Sequence, residues 1–176
     1  ATQAQLPLLI RVNVANPAAV TFTATGENPA IDDSDTTVFD GITLKSFFTL
    51  DPSTGMRPLE GPATLMPHGS SVAYDRWSPS FDDLTGLNLF RWDDNSSQDF
   101  NIAQPAFSGS SSADFSAIST LLPSQGFKGD VVVGGYVTGP VIGQYEIVVP
   151  EPPAAAWALI APVGALALII RRRWTR

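Results

Sequence analysis

Cysteine is absent from this sequence, and histidine occurs once. Without thiols there is no disulfide framework, no thiol nucleophile and no cysteine-held zinc or iron–sulfur centre. The lone imidazole, His68, sits in Met66-Pro67-His68-Gly69-Ser70. A Ser/His/Asp triad needs a base beside an activated serine, and no G-x-S-x-G elbow is present to supply one. Cations are scarce outside the C-terminus. Residues 1–150 carry six (Arg11, Lys45, Arg57, Arg76, Arg91 and Lys128) against sixteen acids, a net charge of about −10. Phosphate backbones call for the opposite sign, so nucleic acid is excluded as a partner. The P-loop, the Rossmann glycine pattern and the heptad repeat are missing too.

What the chain does have is apolar and aromatic material, 44% and 10%, enough to exclude disorder and to fill one core. Much of it alternates. Ile10, Val12 and Val14 share one side of a strand whose other side carries Arg11 and Asn13. Val20 to Thr25 alternates again after Asn16-Pro17, and the two runs predict a hairpin. A second hairpin is expected from 130–136 and 144–149 around Thr138-Gly139-Pro140. Further strands are expected at 37–39, 42–50, 72–74 and 87–92. Residues 93–99 read as a polar turn, 108–112 as a flexible serine-rich loop, and 115–122 as a short helix. Many short strands with Gly, Pro and Asp turns predict an all-β fold, specifically an antiparallel, jelly-roll-like sandwich over residues 1–149.

A tail of different character follows. From Pro152 to Ile170, 19 residues pass without a charged side chain. As a helix they would be about 28 Å long, near the thickness of a bilayer's hydrocarbon core. Arg171, Arg172 and Arg173 stop the run, and Trp157 and Trp174 stand where interfacial aromatics are expected. This predicts a transmembrane helix over 152–170, its arginine end in the cytoplasm and the acidic domain outside. Pro150-Glu151-Pro152, the apolar run and the terminal arginines together resemble the PEP-CTERM sorting signal. That resemblance covers residues 149–176 alone. It implies recognition by exosortase, a membrane protease-transpeptidase of bacteria that make extracellular polysaccharide. It further implies a cell-envelope or cell-surface location, and the small residues around Ala1 fit the remains of a signal-peptide cleavage site.

Three sets of residues invite chemistry. Asp93, Asn95 and Asp99 offer hard oxygen ligands in a loop, which suits calcium; the same residue types also make solvated turns. Acid pairs can hydrolyse glycosides, but with 17 acids in the chain such a pair has little specificity. Tyr74, Trp77, Phe81 and Trp92 lie in or beside proposed loops, where exposed rings stack on sugars. No catalytic residue and no cofactor other than calcium is nominated. The expected function is that of a non-enzymatic envelope or extracellular-matrix protein with a structural or adhesive role. Its partners would be the membrane, an exosortase-like enzyme, extracellular polysaccharide, and other copies packed through the small residues of the tail. A glycan-binding module and an unrecognised secreted hydrolase are the alternatives.

Overall fold

The computed structural model describes residues 5–61 and 63–149. The sorting motif at 150–152, the helix at 152–170 and the arginines at 171–173 therefore lie outside the described residues. Among the described residues no helix is long and apolar enough to cross a membrane.

The fold is all-β, as the alternation predicts. In chain order the strands are β1 (Leu8–Asn13), β2 (Val20–Ala24), β3 (Asp33–Thr37), β4 (Ile42–Leu44), β5 (Arg57–Pro58), β6 (Met66–Pro67), β7 (Arg76–Pro79), β8 (Leu87–Phe90), β9 (Ser97–Phe100), β10 (Phe107–Ser108), β11 (Ser110–Ala113), β12 (Lys128–Val133) and β13 (Val141–Val148). Nine of them form one sheet in the order β11-β2-β1-β13-β12-β4-β8-β7-β5; β10 pairs with β6 and β3 with β9. Both expected hairpins are present, as β1–β2 and β12–β13. Asn16 caps the first turn by accepting the Ala18 N–H.

The arrangement differs from two facing antiparallel sheets. β1 and β13 run parallel, which joins the first hairpin to the last. The sheet then curls until its edges meet. Glu60 N–H donates to the Ser112 carbonyl (2.7 Å), Thr64 N–H to the Ser110 carbonyl (2.9 Å) and Leu65 N–H to Ser111 Oγ (3.2 Å). The sheet is thereby a nearly closed barrel with little bare edge. Residues 108–112, expected as a flexible loop, fall in β10 and β11 apart from Gly109 between them: their serines are small enough for the seam and their hydroxyls serve its irregular backbone. Ser112 Oγ, for example, donates to the Glu60 carbonyl (3.0 Å).

Other boundaries move for local reasons. The strand expected over 42–50 ends at Leu44, because Ser46 takes a left-handed conformation (φ 55°) and breaks the period of two. Phe47 and Phe48 then both enter the core instead of opposite faces. The strand expected at 72–74 falls at 76–79, and the turn expected over 93–99 yields to β9 from Ser97. The expected helix is a 3₁₀ segment, Ser116–Leu121. Inside the barrel the rings of Phe22, Phe47, Phe48, Trp77, Phe115 and Tyr145 pack together, Trp77 and Phe115 with centroids 4.6 Å apart. Burial of each such side chain contributes about 1.5–3 kcal/mol.

Candidate functional site

On the barrel's outer face, alternation along β4, β8 and β7 sends Ile42, Leu44, Leu87, Leu89 and Trp77 inward. The intervening residues are polar and stand in register: Thr43 pairs with Asn88, and Asn88 with Ser78. All three are buried, which demands hydrogen bonds. Thr43 Oγ1 donates to the Gly134 carbonyl (2.7 Å) and Ser78 Oγ to the Pro79 carbonyl (2.9 Å). Asn88 Nδ2 donates to the Asp40 and Ile42 carbonyls, both at 3.1 Å. Those two carbonyls fix the amide, since a flipped Oδ1 would face oxygen.

Asn88 and Ser78 belong to the lining of a groove of about 510 Å³, walled by Phe39, Met56, Phe81, Leu84, Phe90, Trp92 and Tyr136. Among the described residues ten large apolar side chains are exposed, and six of them line this groove. Scattered surface hydrophobes are ordinary; a cluster marks an interaction site.

Two ring pairs make the walls. Arg91 N–H donates to the Val38 carbonyl (2.7 Å), which brings Phe39 beside Trp92, with centroids 5.6 Å apart. Trp92 is 43% exposed, and its backbone N–H is held by Asp75 Oδ1 (3.0 Å). The other pair is Phe81 and Tyr136, also 5.6 Å apart, 68% and 56% exposed. Asp82 fastens their two loops together. Its Oδ1 accepts from Val137 N–H (2.8 Å) and lies 2.9 Å from Ser80 Oγ, while Oδ2 is 3.2 Å from Thr138 Oγ1. Desolvation pushes the Asp82 carboxyl up, but the hydrogen bonds from Val137, Ser80 and Thr138 outweigh it and hold the pKa below the ordinary value.

Of the four aromatics nominated from sequence, Phe81 and Trp92 are in the groove. Trp77, on β7, and Tyr74, just before it, are buried in the core, with Tyr74 O–H donating to Gln98 Oε1 (2.9 Å). Burial raises the Tyr74 pKa well above its ordinary value, so the phenol stays protonated. Phe39, Asn88 and Tyr136 were not nominated. The signal for Asn88 was its place between Leu87 and Leu89; Phe39 and Tyr136 carried none.

The remaining nominees are not among the residues lining the groove. Asp93, Asn95 and Asp99 are exposed, and Asp93 adopts a left-handed conformation (φ 64°). Their neighbour Asp94 accepts the Ser96 N–H (2.8 Å), and its hydrogen bonds from Ser96 lower its pKa. Among the described residues no group of three or more His, Asp or Glu side chains is placed to hold a metal ion. His68 is exposed, while Ser70 Oγ is engaged with Val72. A smaller hollow of about 360 Å³ holds Arg57, Glu60 and Asp114; hydrogen bonds from Ser116 pull the Asp114 pKa down.

The chain matches no protein-family model, no curated protein and no solved structure. Function must therefore be argued from the site itself.

Proposed function

We propose that this chain is a non-enzymatic bacterial envelope or extracellular-matrix protein that works by adhesion through the aromatic groove. The observation that carries the reading is the gathering of six exposed apolar side chains around one concavity on a nearly closed barrel. Exposed rings cost stability and solubility unless they meet a partner. The loops that carry the rings are tethered before binding, by Asp82 between 80–82 and 137–138 and by Asp75 at Trp92, which lowers the entropic cost of binding.

Location rests on the tail. An apolar run over 152–170 ending in arginines would anchor the barrel outside the cytoplasmic membrane, or deliver it to the cell surface once an exosortase-like enzyme cuts near Pro150-Glu151-Pro152. Small residues along the run would let copies associate in the membrane.

A hydrolase finds less support. A glycosidase uses a pair of carboxyl groups flanking the scissile bond, and the groove lining holds one, Asp40.

The test is co-sedimentation of the protein with extracellular matrix from its own cells. Wild type should pellet with the matrix, and Phe81→Ala with Trp92→Ala should stay in the supernatant with an unchanged melting temperature. Equal pelleting of wild type and double variant would refute the groove as the adhesive surface.

A further inference from the structure

Resting on that reading, we infer that the groove binds a neutral glycan: a short stretch of uncharged pyranose units stacked on the exposed rings and hydrogen-bonded to the floor. The floor is the first argument. It is a sheet face, and β4, β8 and β7 each have ladder partners on both sides. The middle of the floor, β4 and β8, offers no strand edge, so an extended peptide lying there cannot be held by main-chain pairing. A ligand must be recognised by ring faces and side-chain acceptors.

Charge is the second argument. The lining contains no lysine, arginine or histidine. Its one carboxylate, Asp40, has one oxygen engaged: Oδ2 accepts from Thr37 N–H (3.2 Å) and Thr37 Oγ1 (2.8 Å). A sulfated or uronic glycan, a phosphate or an anionic lipid surface would find no counter-charge here, and would approach a domain of net charge about −10.

The third argument is Asn88. Its side chain is 1% exposed, yet both Nδ2 protons are committed to backbone carbonyls. Oδ1 is thereby left as the acceptor end of the amide at the groove floor. A sugar supplies what this floor and these walls ask for, a hydroxyl donor beside an apolar C–H face. Shape separates this occupant from a second copy of the chain: two concave faces brought together would enclose a void instead of filling one. A cleft of about 510 Å³ also falls within the range that holds small ligands.

The experiment uses the full chain in an amine-oxide detergent, which has no sugar headgroup to compete. Calorimetric titration is made with cello-, laminari-, manno- and chitohexaose, and with hyaluronan hexasaccharide as the anionic probe. At least one neutral hexasaccharide should give saturable heat, insensitive to salt, with no heat from hyaluronan. Phe81→Ala and Trp92→Ala should each weaken binding, up to about tenfold for a stacked ring. Both residues are exposed, so the variants should melt like wild type. Absence of saturable heat with every neutral glycan overturns the inference, as does binding that survives both substitutions. If matrix is still captured through Phe81 and Trp92 while neutral glycans fail, the adhesive reading stands and the ligand class falls. Dimerisation in sedimentation that disappears in Trp92→Ala would overturn it in favour of a second copy.

Discussion

Replacing Gly135 with alanine should damage the groove while leaving the barrel intact. A Cβ at this position would sit 2.8 Å from Phe81 Cε2 and 2.9 Å from Cδ2, with backbone no nearer than the Asp40 carbonyl at 3.7 Å. Carbon atoms pack at about 3.5–4.0 Å, so the ring must retreat by roughly an ångström. It is free to do so, being 68% exposed. The expected change in stability is within about 0.5 kcal/mol. Phe81 leaves its seat against Tyr136, however, and such a ring pair is worth about 0.5–1.5 kcal/mol. If ligand stacks on the pair, affinity should fall about twofold to tenfold.

Gly129 is the control. There the same substitution brings Cβ to 2.5 Å from Tyr145 Cε1 and 2.6 Å from the Lys45 carbonyl. Tyr145 is buried directly across the ladder from Gly129, and backbone cannot give way. Overpacking of this kind costs about 1–3 kcal/mol, and each kcal/mol lowers Tm by about 2–4 °C in a domain near this size. Thermal melts and ligand titrations of the two variants should therefore separate: Gly135→Ala loses affinity at constant Tm, and Gly129→Ala loses Tm at constant affinity. A large loss of stability in Gly135→Ala, or undiminished affinity, would refute the assignment of Phe81 and Tyr136 as a binding wall.

Other expectations follow from the same geometry. Tyr74→Phe should leave buried Gln98 Oε1 without its donor and cost about 1–3 kcal/mol by denaturant unfolding; a neutral result would mean the Tyr74–Gln98 bond does not hold β9 to the barrel. Asp82→Ala should destabilise the loop over 136–138 at neutral pH. Because the folded pKa of Asp82 is depressed, its contribution is present above the unfolded value of about 3.9 and lost as pH falls through the lower folded value. Wild type and variant should thus converge in Tm in acid, and a gap that widens there would contradict the tether. If Asp93, Asn95 and Asp99 hold calcium, millimolar calcium should raise Tm over chelator at matched ionic strength, by about 2.7 kcal/mol of stability at a hundred times Kd, and substituting Asp93 and Asp99 should remove the rise; equal Tm values would leave them as turn residues.

How far the sequence reaches is plain from particular residues. The hairpins at either end were legible because Ile10, Val12, Phe22, Val131 and Tyr145 alternate with polar partners over several residues, and alternation is a local property. Partner choice is not local: nothing within 8–13 or 141–148 says that these strands run side by side in parallel. Single backbone reversals, such as that at Ser46, were equally invisible. The groove was half legible. Phe81 and Trp92 stood out as aromatics beside turns, but Trp77 lies at an inward pleat of β7 and Phe39 reaches the site only because Val38 pairs with Arg91. Its lining comes from five stretches of chain, between Phe39 and Tyr136, and no spacing rule joins them.

Trp77 is buried on β7 while Trp92 stands exposed in the turn after β8 at the groove wall, which makes the indole N–H signals the most direct probe of the central claim. Full-length protein labelled with ¹⁵N-tryptophan would be titrated with neutral polysaccharide fragments from the matrix of its own cells. The groove account predicts that the Trp92 indole shifts in a saturable way while the buried Trp77 indole stays in place. A stationary Trp92 at saturating fragment, or a shift confined to another tryptophan, would contradict it.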